Sequence, residues 1–256
     1  MKRELNVFLC AVTFLTRLPV SRFVQHDPEH LSKSSLYFPL VGFLVGATGA
    51  FAFWLASLKC SPTIAVLLSI ATTILLTGAF HEDGLADSAD GFGGGYSKER
   101  VLEIMKDSRI GTFGAVALWL FLSAKLLTLS EIAAQSPREA MLAMMSAHLL
   151  GRYSSLPLIF ALNYARAQET SSKPFAEKIS AARLALASLY VALLCVLLLE
   201  RRAIVAIGAT LFVAWMSGKF FERRIGGITG DALGAANQLS ELAVYGALYA
   251  LERPEP

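Results

Sequence analysis

Charged side chains are scarce in this chain, at 17% of its 256 residues against 55% hydrophobic. With a mean hydropathy of +0.54, that scarcity excludes an ordinary soluble domain. Cysteine is rarer still. Cys10, Cys60 and Cys195 sit in or beside apolar runs without CxxC spacing, which excludes a disulfide framework or cysteine metal site and leaves packing as their role. No stretch rich in proline, serine or charge divides the chain, and no internal repeat or low-complexity segment is present, so residues 1–256 are expected to form one integral membrane domain. Basic residues are scattered without interleaved aromatics, which excludes a nucleic-acid stripe. Lys2 and Arg3 precede a short apolar run at residues 5–15, but no small-residue cleavage site follows. Residues 4–20 are therefore expected to form an interfacial or partly buried helix.

What the chain has instead is long apolar runs. Seven segments, at residues 36–58, 63–80, 111–130, 140–162, 181–199, 203–220 and 232–251, reach or approach the roughly 20 residues that cross a bilayer. The expected fold is an all-α, polytopic membrane helical bundle. Short connections at Lys59-Cys60-Ser61-Pro62 and Glu200-Arg201-Arg202 predict antiparallel hairpins. Gly42-x-x-x-Gly46 predicts close helix packing. If the N-terminus is cytoplasmic and the segments alternate, 16 of the 23 Lys and Arg fall on the cytoplasmic side and five on the other. That bias places the long connections at 81–110 and 163–180 in the cytoplasm.

The first of those connections opens with four carboxylates in nine residues: Glu82-Asp83-Gly84-Leu85-Ala86-Asp87-Ser88-Ala89-Asp90. Asp83, Asp87 and Asp90 stand at i, i+4 and i+7, one face of a helix. Crowded carboxylates on one face suit a hard cation such as Mg²⁺, an ion that usually arrives with phosphate. Gly91-Phe92-Gly93-Gly94-Gly95 follows, and its glycines, Gly93 and Gly94 among them, would let backbone N–H groups approach an anion. Ser97 is expected to cap a short helix running through Met105. In Lys106-Asp107-Ser108-Arg109-Ile110-Gly111, two cations suited to phosphoryl oxygens flank a further carboxylate. The third element, Gly226-Gly227-Ile228-Thr229-Gly230-Asp231, opens an apolar helix, where free N–H groups attract anions and Asp231 adds a metal ligand. The topology puts it on the same side as the acidic cluster. Arg152, mid-span with His148 one turn earlier, must face a cavity or a partner: substrate phosphate, or a carboxylate at membrane depth. Lys125 snorkels or pairs. His81 reads as a neighbour of the cluster, and Pro28 spoils the metal-like spacing of His26 and His30.

These motifs, with Phe14-Leu15-Thr16-Arg17-Leu18-Pro19-Val20, Tyr37-Phe38-Pro39-Leu40-Val41-Gly42 and Gly151-Arg152, resemble the cobalamin synthase family, the adenosylcobinamide-GDP ribazoletransferases. The resemblance runs in order over nearly the whole chain and is weakest at 163–200. It implies a Mg²⁺-dependent, multi-pass transferase of the bacterial inner membrane with its active site facing the cytoplasm. Such an enzyme joins adenosylcobinamide-GDP to α-ribazole or its 5′-phosphate and releases GMP, in the last stage of cobalamin assembly. It also implies roles. Asp83, Asp87 and Asp90, with Glu82 in or near the shell, hold Mg²⁺, and one of these carboxylates accepts a proton. Lys106 and Arg109 grip phosphate, with Asp107 nearby. Asp231, with Thr229 and Gly230, completes a metal or nucleotide site. A homo-oligomer, or association with other corrinoid-assembly enzymes, is a further expectation. Two rival readings are another membrane diphosphate-using transferase, of the CDP-alcohol phosphotransferase type, and a cation-coupled transporter lined by Arg152 and Lys125. The first lacks its DGxxAR motif here, because Asp87 follows Ala86.

Overall fold

Prolines and serines mark where the helices of this chain begin. The computed structural model describes residues 2–24, 30, 33–166 and 178–252. In chain order it contains α1 (Lys2–Leu15), α2 (Phe38–Ser57), α3 (Pro62–Thr77), α4 (Phe80–Gly94), α5 (Lys98–Ile104), α6 (Thr112–Gln135), α7 (Pro137–Ala161), α8 (Ala181–Leu199), α9 (Ala203–Ile225) and α10 (Gly230–Glu252). Proline lies in the first turn of α2, α3 and α7, where its missing N–H sacrifices no helical bond. Ser97, Ser136 and Ser180 each accept the backbone N–H three residues on, capping α5, α7 and α8. Gly78 (φ 68°) and Gly226 (φ 72°) close α3 and α9 in the left-handed conformation. Among the described residues there is no strand, only an isolated parallel bridge between Tyr164 and Ile228.

All seven apolar segments form helices, and the protein is an integral membrane protein of all-α architecture. By length and apolarity, three stretches are fit to cross a bilayer: Ser34–Ser57, Thr112–Gln135 and Ala181–Ile225. A fourth is added if α3 and α4, bent by 88° at Gly78–Ala79, count as one. The shortfall from seven has two causes. Glu200, at φ 53°, divides the 45-residue stretch into α8 and α9, so it holds two of the predicted segments. α7 and α10 carry polar side chains at their centres, and both are covered by neighbouring helices.

Close contacts fix how the helices run. A Cβ on Gly42 would stand 2.2 Å from the His148 carbonyl oxygen, and one on Gly46 2.7 Å from that of Met144, so α2 lies against α7 and antiparallel to it. Tyr153 hydrogen-bonds Ser188 at 2.8 Å and Arg202 pairs with Glu139 at 2.5 Å, which sets α8 antiparallel to α7. Gly218 faces Leu158, so α9 returns parallel to α7 and the α8–α9 hairpin is real. The turns at 58–61, 136 and 200–202 therefore share one end of the bundle. The opposite end carries α4, α5, residues 163–166 and the start of α10. α1 buries Val7, Cys10, Ala11, Val12 and Leu15 against the bundle while Leu5 stays exposed, as a partly buried N-terminal helix should. Cys10 and Cys195 are buried, and among the described residues no cysteine is in a disulfide.

Candidate active site

The acidic stretch is helical throughout. α4 begins immediately after the sharp corner at Ala79 (φ 60°) and crosses the end of the bundle, tucked against α6 and α10. Gly84 makes that approach close enough to matter: a Cβ there would stand 2.9 Å from the Asp231 carbonyl oxygen and 3.2 Å from Gly234 Cα. Asp83 and Asp87 thereby face Asp231 at the head of α10. The two carboxylate elements, 148 residues apart in the chain, meet as the topology required.

The carboxylates divide into three environments. Asp83 is exposed and Asp87 half-buried. Burial, then the charges of Asp83, Asp231 and Asp90, push the Asp87 carboxyl up to about 7. Asp90 is spoken for. Its two oxygens accept the backbone N–H groups of Gly111 at 2.7 Å and Gly114 at 2.8 Å, capping the start of α6. Glu82 is buried on the inner side of α4, toward Lys125 and Glu241, and its Oε2 has no hydrogen-bond partner among the described residues.

Among the described residues no three His, Cys, Asp or Glu side chains form a ready-made metal cage. Mg²⁺ does not require such a cage, because it is commonly held by one or two carboxylates and completed by substrate phosphate and water. Asp83, Asp87 and Asp231 are hard oxygen donors that could serve such an ion, and the neighbouring carboxylates that add to burial in raising Asp87 are charges a divalent cation would offset. Asp90 and Glu82, also predicted as ligands, are placed as a helix cap and an inward-facing carboxylate.

The glycines and cations are placed differently from expectation. Residues 91–94 are the last turn of α4, not an anion loop. Gly93 lies against the Phe113 ring, where a Cβ would come within 2.5 Å, and Gly94 is exposed at the helix end. Thr229 is fully buried, and its hydroxyl accepts Ala232 N–H at 3.1 Å as the cap of α10, which Gly230 opens. Asp107 accepts the Arg109 guanidinium at 2.6 Å, and this pairing holds its carboxyl down at about 2. The pair, with Lys106 exposed beside it, shares the surroundings of Asp90. There it borders an open pocket of about 530 Å³ also lined by Gly94, Arg100 and Thr112.

Arg152 takes the carboxylate partner rather than phosphate. It is 2% exposed and its Nη1 donates to Glu241 Oε1. Lys125 Nζ donates to Glu241 Oε2 at 2.8 Å, and His148 Nδ1 lies 2.9 Å from Oε1. Arg152 Nη2 stands 3.5 Å from Nδ1 of His81, at the start of α4. One buried carboxylate thus gathers α6, α7 and α10 around it. A cavity of about 30 Å³ beside it, walled by Phe14, Phe38 and Phe80, has Arg152, His81 and Asn237 on its lining. His30 Nδ1 lies 2.7 Å from Asn6 Nδ2, and His26 lies outside the described residues.

Sequence reasoning missed Glu241 and Arg166. The first left a signal, a carboxylate inside an apolar helix that needs a cation as Arg152 needs an anion. The second left none, since nothing near Arg166 marks it. Its Nη2 sits 3.1 Å from Asp231 Oδ2 only because the chain leaving α7 pairs with residue 228.

The comparisons with known proteins bear on this arrangement as a whole. The family model described as cobalamin-5-phosphate synthase matches residues 7–249. A relative from Shewanella frigidimarina, an adenosylcobinamide-GDP ribazoletransferase, is 45% identical over 247 residues, 95% of this chain and 94% of its own. Another so named from Ralstonia nicotianae is 46% identical over 94% of this chain and 93% of its own. No solved structure matches. Every motif of the acidic end falls inside the matched span, and the chain belongs to the cobalamin-5-phosphate synthase family.

Proposed function

We propose that the protein is the transferase that joins adenosylcobinamide-GDP to α-ribazole, or its 5′-phosphate, in the inner membrane of a bacterium with the acidic end of the bundle in the cytoplasm. A ribazole hydroxyl oxygen attacks the cobinamide-side phosphorus, the bond to the bridging oxygen breaks, and GMP leaves carrying that oxygen. The hydroxyl proton passes to a carboxylate of the site. The observation that carries the reading is the meeting of Asp83 and Asp87 on α4 with Asp231 on α10, beside the Arg166 guanidinium.

Attack at a diphosphate needs the reacting atoms in line and the charge on transferred and leaving groups neutralised. One or two of the carboxylates of Asp83, Asp87 and Asp231 would hold Mg²⁺, which when bound supplies that neutralisation as a Lewis acid. Packing of α4 on α10 through Gly84 sets the spacing of these donors, and the α4 surface at Asp83 is open to substrate. A transport path through Lys125 and Arg152 has less support, because Glu241 pairs both deep inside the bundle. Purified protein given both substrates is expected to release GMP only with a divalent cation present. Asp83→Asn and Asp87→Asn should each lower that rate by about 100-fold or more, the scale of losing a charge-stabilising group at a reacting centre. Wild-type GMP release by both folded variants would overturn the assignment.

A further inference from the structure

Arg166 has a role that the acidic residues alone do not explain. Beyond α7 the chain is pinned to the segment ahead of α10: Ile228 N–H donates to the Asn163 carbonyl at 2.9 Å, and Ala165 N–H donates to the Ile228 carbonyl at 2.8 Å. Gly227 (φ 154°) permits this approach, because a Cβ there would stand 2.1 Å from the Asn163 carbonyl oxygen. The pinning carries the Arg166 guanidinium, 13% exposed, to the carboxylates. Nη2 donates to Asp231 Oδ2 at 3.1 Å and lies 3.5 Å from the Leu102 carbonyl oxygen. Nε is buried and has no partner among the described residues.

Nε and Nη2 form the side-on edge of a guanidinium, the edge that takes two oxygens of a phosphate or carboxylate at once. Here one half of that edge is spent on Asp231, and the other half meets no acceptor among the described residues. Leaving a buried donor unmet is costly, so an arrangement that meets only half the edge is poised for a better acceptor. The guanidinium and a divalent cation also compete for the same Asp231 carboxylate. We propose, resting on the transferase reading above, that Arg166 is a phosphate-binding residue that serves as the counter-ion of Asp231 while the site is empty. On loading, Asp231 turns to the metal and Arg166 offers its Nε–Nη2 edge to two oxygens of the diphosphate.

A residue with this exchange of partners leaves a signature that a structural ion pair does not: its removal moves metal and phosphate affinity in opposite directions. Mg²⁺ alone, and inorganic pyrophosphate with Mg²⁺, would be titrated calorimetrically into wild-type protein in detergent and into Arg166→Gln and Arg166→Lys. Arg166→Gln is expected to bind Mg²⁺ alone about threefold to tenfold more tightly, since its competitor is gone, and pyrophosphate about 10- to 100-fold more weakly, the range of charge-assisted hydrogen bonds. Arg166→Lys keeps the charge without the fork, so it should bind Mg²⁺ as wild type does and pyrophosphate about tenfold more weakly. It carries the test if the glutamine variant does not fold. Parallel loss of both affinities, or wild-type pyrophosphate binding by either variant, would overturn the proposal. If wild-type protein binds no Mg²⁺ while Arg166→Lys still loses pyrophosphate, the metal assignment falls and the phosphate role of Arg166 stands.

Discussion

Glu241 ties three helices together inside the bundle. It is fully buried, and two cations and a histidine converge on its two oxygens. The pairing is asymmetric. Removing Lys125 leaves Glu241 with Arg152, whereas removing Glu241 strands two buried cations at once. Breaking a buried pair by deleting one partner costs about 3–5 kcal/mol, most of it the unmet charge left behind. Glu241→Leu is therefore expected to lower the melting temperature in detergent far more than Lys125→Met, and Lys125→Met combined with Glu241→Leu to recover little, because Arg152 remains unpaired. Equal losses for the two single variants would show that the carboxylate is not the hub. The same residues show what sequence could reveal. Arg152 announced that a partner existed, because an arginine among apolar residues cannot stand alone in lipid. Which partner it had depended on the crossing of α7 and α10, and no local pattern records that.

At the scale of elements, the site is a contact between two helices. Asp83 and Asp87 belong to α4, Asp231 to α10, and the distance between the two sets is governed by Gly84 at their crossing. Gly84→Ala adds a methyl group 2.9 Å from the Asp231 carbonyl oxygen, inside van der Waals contact with backbone that cannot rotate away. Overpacking of this kind costs about 1–3 kcal/mol and shifts the backbone by a few tenths of an ångström. The expected result is a rate loss of at least tenfold for misaligned reacting groups, with the protein still folded by circular dichroism. Gly208→Ala, at an open helical position, is the control and should leave the rate unchanged and the melting temperature equal or slightly raised, since Ala favours a helix interior over Gly. The register of the aspartates was legible because i, i+4, i+7 spacing has one reading on a helix. The roles of the glycines were not, since a Gly-rich run looks the same whether it frees backbone N–H groups or lets helices touch. Asp90 was misleading for a related reason: it shares the face of Asp83 and Asp87, yet the N–H groups of Gly111 and Gly114, 21 and 24 residues away, claim its oxygens.

The whole molecule has two unlike ends. One gathers the turns at 58–61, 136 and 200–202, tied by the Arg202–Glu139 pair at 2.5 Å. The other gathers α4, α5, Arg166, Arg223, Arg224 and the head of α10, with Arg224 donating to the carbonyls of Phe92 at 3.1 Å and Gly95 at 2.9 Å. The folded arrangement thus puts the cation-rich connections together, although several of those cations hold the acidic helix in place as well as marking a side. Positive charge retained on the side of synthesis orients a polytopic protein, and on the proposed reading the bias favours the acidic end facing the cytoplasm. In a chain with Cys10, Cys60 and Cys195 replaced by alanine, Lys59→Cys on the opposite end should react with a membrane-impermeant maleimide in intact spheroplasts. Glu99→Cys, exposed on α5, should react only after the membrane is opened. The reverse pattern would invert the topology and put the phosphate chemistry where neither nucleotide nor Mg²⁺ is supplied from the cell interior.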